Sequence, residues 1–348
     1  MDAFITSCDW ITPLGCGLAE VWDAILAGMR APVRELPGPV GAKPRFAATI
    51  PPKLADAAAR NPRLRRSSNI SLFAAQAAAN AGAMFKAAGA DRAAIIFAVS
   101  DGGVIHTRKF YDQVVREGAG SPLLFPETVY NAPASHIAAL NSFDGMTYTV
   151  AGDASAGLAA LRLGADLIES GRIDHCLVVG AQEVDWILCE AYGQWRLCSS
   201  AVEIGSNRGA LIAEGAAAVT LSREGGYRLS VSDCVPFFRQ AEAGASLAAA
   251  LAQLPTAPSR VIGSANGTFV DRAESSAIEA AYGQIPALFP KVSLGDAFGA
   301  SALFQIICAV QSLSRDPAGA VLVPVIGLNQ HAAAALVQVS TPTGSTPG

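Results

Sequence analysis

Two stretches of this chain, "TYTVAGDASAGLAALRLGADLIESG" (147–171) and "KVSLGDAFGASALFQIICAVQSL" (291–313), carry the same turn. In each, an apolar β-prone run reaches Gly-Asp-Ala, at 152–154 and 295–297, passes through small residues and enters a long apolar helical pattern. The first turn of a helix has unpaired backbone N–H groups and sits at the positive end of the helix dipole. Two such starts facing each other across a pseudo-dyad would suit an anion, an oxyanion or a nucleophilic thiolate. The plainer alternative is that Asp153 and Asp296 are N-caps, each contributing about 1 kcal/mol.

Other groups of chemical interest are sparse. The seven cysteines (8, 16, 176, 189, 198, 234 and 308) never fall in C-x-x-C spacing, so neither a disulfide framework nor a zinc site is indicated. Most are expected to be buried thiols acting as small hydrophobes. Of the four histidines, His106 and His175 read as loop residues. The most basic cluster is "RLRRSS", with Arg63, Arg65 and Arg66, for which a solvated helix start is the bland reading.

The elements that would position these groups alternate between strand and helix. A strand over "DAFITSCDWITPLG" leads to a helix, "LAEVWDAILAGM", with Val21, Trp22, Ile25 and Leu26 on one face. Residues 31–66 read as an extended Pro- and Arg-rich loop, followed by a small-residue helix, "SLFAAQAAANAGAMFKAAG", and the strand "AAIIFAVS". After a polar loop (105–127), the strands "TYTVAG" and "HCLVVGAQEV" flank a helix over 154–170, and "GALIAEGAAAVTLSREG" reads as a hairpin-like pair. The second of these strands should be buried on both faces. The rest repeats the theme: strands "YRLSVSDCVP", "RVIGSAN" and "KVSLG", helices "AGASLAAALAQL", "RAESSAIEAAYG" and 297–313, and the terminal pair "GAVLVPVIG" and "AAAALVQVS". This is the pattern of a layered α/β fold made of two similar halves, 1–225 and 226–340, with a disordered tail at 341–348.

A chain of 348 residues, 51% apolar and 16% charged, can bury a large core. Its net charge of −4 argues against a nucleic-acid partner held by overall charge. The start lacks a basic segment ahead of its apolar stretch, and no apolar run reaches the roughly 18 residues of a membrane span, so a cytoplasmic protein is predicted.

Several segments, in order, resemble the β-ketoacyl synthases of the thiolase-like superfamily. "ITPLGCGLAEVWDAILAG" is similar to their V-T-P-L-G…W-x-x-L-x-x-G opening, and "RLRRSSNISLFAAQAAANA" to R-x-x-R-F…A-x-x-A. The run from "FPETVYNAPASHIAAL" to "HCLVVGAQEV" follows their longest signature without a gap. "NRGALIAEGAAAVTLSREG" resembles R-D-G-F-x-x-G-E-G-A-G-x-L-V-L-E, and "KVSLGDAFGASA" resembles K-S-x-x-G-H-x-x-G-A-A-G. The resemblance implies the thiolase-like fold, two pseudo-symmetric halves in an α-β-α-β-α stack, and no cofactor or metal.

It also implies a site of one cysteine and two histidines, and this chain departs from all three. The nucleophile position is Ala154, whose methyl group cannot form a thioester. The first histidine, of H-G-T-x-T, is matched by Asn266 in "SANGTFVDRAE", with about two residues missing. The second is matched without a gap by Asp296, a carboxylate that would repel a malonyl carboxylate. The terminal G-F-G-G-T-N becomes "GLNQHAAA", which brings His331 near the usual threonine. His136 matches a position that is architectural in the family.

The reading that follows is a catalytically silent ketosynthase homologue, resembling the chain-length-factor subunits of type II polyketide and aryl polyene systems. Its partners would be an active ketosynthase subunit and an acyl carrier protein, with Arg63, Arg65 and Arg66 as the docking cluster. Two alternatives stay open. One is an acyltransferase or hydrolase using Ser155, Asp296 or His331 on carrier-bound chains, although Ser155 has no base assigned to it. The other is a non-catalytic homodimer that binds carrier protein or acyl-CoA.

Overall fold

The computed structural model describes residues 3–54, 60–81 and 92–340. The last part of the predicted helix over 71–89, from residue 82 on, and the predicted tail at 341–348 lie outside the described residues.

Strand β1 (Ala3–Ile11) leads to helix α1 (Leu18–Leu26), which buries Val21, Trp22 and Ile25 but leaves Leu26 half exposed at its end. The expected extended loop contains an antiparallel hairpin, β2 (Val33–Leu36) with β3 (Arg45–Ala48), in which Val33 pairs with Ala48. Helix α2 (Asn69–Ala81) and strand β4 (Ala93–Val99) follow. The segment expected as a polar loop forms helix α3 (Val104–Glu117), none of whose residues is buried. It is stopped by Gly118 at φ +77 and tied down by a two-pronged Arg108–Asp185 pair. His106 thus lies in a helix, and His175 opens a strand, neither in a loop.

Helix α4 (Ala132–Leu140), strand β5 (Met146–Ala151), helix α5 (Ala156–Glu169), strand β6 (His175–Gln182), helix α6 (Trp186–Gln194) and strand β7 (Gly215–Ser222) complete the first run. The expected hairpin over 209–225 does not form. Residues 209–214 make isolated bridges, and β7 pairs with β1 and β6.

The second run comprises β8 (Tyr227–Val231), β9 (Val235–Pro236), α7 (Ala243–Leu251), β10 (Arg260–Ile262), α8 (Phe269–Tyr282), β11 (Ala287–Leu288), α9 (Pro290–Leu294), α10 (Ser301–Arg315), β12 (Ala320–Ile326) and β13 (His331–Val339). Here "KVSLG" is not a strand. Pro290 at the first helical positions and Gly295 at φ +79 bound a short helix, and the strand of this unit is Ala287–Leu288.

The sheet order is β11-β10-β12-β13-β8-β1-β7-β6-β4-β5. Counting each run's main strands in chain order, both read 3-2-4-5-1, and they join where β1 pairs antiparallel with β8. Strand alternation sorts the core into layers. Ala94, Ile96 and Ala98 of β4 and Val321, Val323 and Val325 of β12 share one cluster with α5 and α10. On the opposite faces, Ile95, Phe97 and Val99 pack on α2, while Ala320 and Leu322 pack on α7 and α8. Helices α5 and α10 are therefore the middle layer of an α-β-α-β-α stack. Gly157 permits their approach, since a Cβ there would lie 2.9 Å from the Ala302 Cβ.

The cysteines are less buried than expected: Cys176, Cys189 and Cys308 are buried, Cys16 is exposed and the others lie between.

Candidate functional site

The two Gly-Asp-Ala turns sit at the N-terminal ends of the middle-layer helices, and each aspartate faces inward. Gly295 takes a left-handed conformation at the end of α9, and a Cβ there would lie 2.8 Å from the Ala213 Cβ. The turn is pinned by backbone bonds from Asp296 N–H to the Leu211 carbonyl (2.7 Å) and from Ala213 N–H to the Asp296 carbonyl (2.9 Å).

The Asp296 carboxylate is buried with every oxygen engaged. Oδ2 accepts from Lys291 Nζ at 2.9 Å and Asn266 Nδ2 at 2.8 Å; Oδ1 accepts from Ser301 Oγ at 2.9 Å and Phe298 N–H at 3.1 Å. Burial pushes this carboxyl up, but the Lys291 charge and the bonds from Asn266, Lys291 and Ser301 outweigh it and hold it below the usual carboxylate range. Asn266 is fixed in turn: its Oδ1 accepts from Thr268 Oγ1 at 2.6 Å, and its N–H donates to Asp271 at 2.7 Å. Beside this network, Glu274 is buried, accepts from Ser264 N–H at 2.8 Å, and is pushed up to about 7 by burial.

The first turn is built alike. Asp153 Oδ1 accepts from Ser155 N–H (3.1 Å) and Ser155 Oγ (3.0 Å), and Oδ2 accepts from Asn329 N–H (2.5 Å). Each aspartate accepts from the N–H two residues ahead, the bond an N-cap side chain makes, but it does so on a turn that precedes the long helix, which starts at Ala156 or at Ser301. In the second turn a 3₁₀ segment, Phe298–Ala300, is inserted before α10. Ala154 and Ser155 are both buried.

Tyr192 of α6 stacks on Phe298 with ring centroids 4.9 Å apart. Burial, then the charge of Asp101, push its phenol well above the ordinary value; a hydrogen bond with the Asn329 side chain partly offsets this, while Asp153 and Asp296 push the same way. The ring thus stands within electrostatic reach of both turns.

The other residues singled out from the sequence lie apart from this network. His331 is exposed at the start of β13, and its backbone carbonyl accepts from Gly327 N–H. Arg63, Arg65 and Arg66 are exposed, and Arg63 Nη1 donates to the Ala139 carbonyl at 2.9 Å. His136 Nε2 is 2.6 Å from Glu127 Oε1 and 3.3 Å from Ser67 Oγ. Lys291, Ser301, Tyr192 and Asn329 were not singled out from the sequence. Only Lys291 had a signal, because it stands at the lysine of K-S-x-x-G-H.

Chemically, the second turn offers a carboxylate with four donors already on it. The first offers a methyl group and a hydroxyl bonded to a carboxylate. No group of three or more His, Cys, Asp or Glu side chains able to hold a metal occurs among the described residues, and no helix there is long and apolar enough to cross a membrane.

Solved structures share this arrangement of elements. The ishigamide ketosynthase/chain length factor aligns over 98% of this chain and 100% of its own at 19% identity, with a TM-score of 0.79. A β-ketoacyl synthase from Burkholderia phymatum STM815 aligns over 98% and 100% at 18% identity, with a TM-score of 0.84. The ketosynthase ApeO in complex with its chain length factor ApeC, from Xenorhabdus doucetiae, aligns over 97% and 98% at 17% identity, with a TM-score of 0.80. No curated protein matches the chain. The family description "Beta-ketoacyl synthase, N-terminal domain" matches residues 2–225, which hold β1 through β7 and the first Gly-Asp-Ala turn. With the duplicated strand order and the motif series in place, the chain belongs to the β-ketoacyl synthase family.

Proposed function

We propose that this chain is a catalytically silent, chain-length-factor-type subunit that pairs with an active β-ketoacyl synthase and shapes the acyl or polyketide tunnel. One observation carries the reading: Asp296, at the position of a family catalytic histidine, has its carboxylate spent on Lys291, Asn266, Ser301 and Phe298. A carboxylate so engaged has no proton to donate to an enolate, and Ala154 supplies no nucleophile.

Pairing is supported by β5. It forms one end of the sheet, with β4 on its inner side, and its other edge is unpaired among the described residues. Tyr148 on that strand is exposed, as are Phe125 and Tyr130 in the segment before α4. An exposed edge with aromatic side chains invites strand pairing with another chain. Carrier-protein docking at Arg63, Arg65 and Arg66 fits their exposure and the acidity of carrier proteins.

The test is co-expression with a ketosynthase that has an intact cysteine. A stable 1:1 complex, and no condensation or malonyl decarboxylation by this chain alone, are expected. An active homodimer would overturn the reading.

A second reading rests on the Ser155 hydroxyl, which follows the family's nucleophile position and donates to the Asp153 carboxylate at 3.0 Å. It makes the chain an acyltransferase or hydrolase. Mass spectrometry after incubation with acyl-loaded carrier protein discriminates the two: an adduct abolished by Ser155→Ala favours this reading.

A further inference from the structure

Two of the free thiols meet. Cys189 of α6 and Cys198, in the segment that follows it, pack into one cluster with Leu188, Ile212 and Phe298. The Cys189 thiol donates a hydrogen bond to the Cys198 sulfur. The two stand nine positions apart in the chain, so only the folded turn between them makes them neighbours. We infer that this pair is a modification site for hydroperoxides: Cys198 is oxidised first, and Cys189 converts the product to an intramolecular disulfide.

Geometry is the first support, because both sulfurs are positioned before any reaction. Cys189 is 0% exposed, and its Sγ lies 3.9 Å from the Phe46 carbonyl of β3. Cys198 is carried on a bonded segment: Ala210 N–H donates to the Leu197 carbonyl at 2.9 Å, and Ser199 N–H to the Ala210 carbonyl at 2.7 Å. The turn is closed by Arg196 N–H on the Gly193 carbonyl at 3.1 Å and Leu197 N–H on the Tyr192 carbonyl at 2.9 Å. Disulfide formation therefore shortens an existing sulfur contact to about 2.05 Å rather than drawing distant elements together.

The two thiols also differ in the way this chemistry requires. Cys198 is partly exposed, beside the exposed Trp195 and Arg196, so a small peroxide reaches it while Cys189 stays covered. The hydrogen bond from Cys189, aided by the charge of Arg45, outweighs burial and holds the Cys198 thiol below its usual value. Arg45 is itself fixed by Glu190 at 2.7 Å. That same contact, then burial, push Cys189 up. Burial pushes up Cys8, Cys176, Cys234 and Cys308 as well. The thiolate is the nucleophile, so Cys198 attacks and Cys189 resolves.

The steps balance. Cys198 thiolate attacks a peroxide oxygen, an S–O bond forms, the O–O bond breaks, and the departing hydroxide or alkoxide takes up the proton that the thiol had released. Cys189 sulfur then attacks the sulfenic acid, and its proton leaves with the hydroxyl as water. Two thiols are oxidised, and one peroxide is reduced to water and water or an alcohol. The bond ties α6, which carries Tyr192, to the segment after it.

The inference does not depend on the proposed pairing with a ketosynthase. The full chain, reduced and desalted, is treated with equimolar hydrogen peroxide, its remaining thiols are alkylated, and it is digested with trypsin. Cleavage after Arg172, Arg196 and Arg208 puts Cys189 and Cys198 on different peptides. Mass spectrometry is expected to find 173–196 joined to 197–208, with fragmentation placing the bond on Cys189 and not on Cys176 of the same peptide. In Cys189→Ala the link should be lost, and dimedone, which traps sulfenic acid, should label Cys198 at least about tenfold more than in the parent chain. Cys198→Ser, at a partly exposed position, should consume peroxide at least about tenfold more slowly. Cys16→Ser, at an exposed cysteine elsewhere, should leave the link intact. Absence of the linked peptides, a bond that maps to Cys176 or Cys16, or undiminished peroxide consumption in Cys198→Ser would each overturn the inference.

Discussion

Lys291 Nζ lies 2.9 Å from Asp296 Oδ2, with the two side chains only 2% and 1% exposed. An ion pair this far from water must be fully hydrogen-bonded to be tolerated, and Asn266, Ser301 and Phe298 supply the remaining donors to the carboxylate. Removing one partner strands the other charge. Lys291→Met is expected to destabilise the chain by about 3–5 kcal/mol, and Lys291→Met/Asp296→Leu by much less, since both charges then leave together. Urea denaturation of the two variants checks this, and equal losses would contradict it.

Stability should peak in mildly acid solution. Burial pushes Glu183, Glu214 and Glu274 up to about 7. A carboxyl raised on folding gives stability that is complete below its unfolded value near 4.5 and lost as pH rises through 7. Glu127 runs the other way. Burial pushes it up, but bonds from His136 and Ser68 prevail and bring it down to about 2, so its contribution is present above 4.5 and lost as pH falls toward 2. Urea midpoints from pH 3 to 8 should therefore be highest at roughly 4.5 to 5. Glu183→Gln should flatten the alkaline side.

The close approach of the middle helices fixes the next expectation. With Gly157 replaced by Val, the side chain meets Ala302 and the Gly299 carbonyl, at a cost of about 1–3 kcal/mol from overpacking. Thermal unfolding of Gly157→Ala should show a smaller loss of the same sign.

Tyr148 lies on β5, whose outer edge is unpaired among the described residues, and is 37% exposed. Tyr148→Glu should leave the isolated chain folded yet abolish the 1:1 complex with a ketosynthase in size-exclusion chromatography. An undisturbed complex would place pairing on another face.

The duplicated architecture was legible in the sequence because strands such as "AAIIFAVS" and "AVLVPVI" carry long apolar runs that admit only buried positions. Both Asp turns were legible for a similar reason, since glycine and small residues interrupt two apolar patterns in parallel. What was missed depends on contacts distant in the chain. Helix α3 buries none of its residues, so no apolar face announced it, and its anchor is Asp185, 77 residues away. "KVSLG" has strand propensity but follows Pro290 and closes on a left-handed glycine, which together set a helical turn. Three of the four donors on Asp296 come from α9, α10 and the loop before α8, so the residue's satisfied state could not be read locally, although its identity could.

The first and last strands in chain order both flank β8: Ile5 and Val339 each pair with Tyr227, on opposite sides. At a strand spacing of about 4.8 Å, the start of β1 and the end of β13 lie roughly 10 Å apart. A short linker would therefore close the backbone into a ring, and new ends could be opened in an exposed loop such as 37–44 without rearranging the sheet. Labels placed at the two ends would report one location, so an energy-transfer pair for following assembly belongs on β5 and β11, at the far edges.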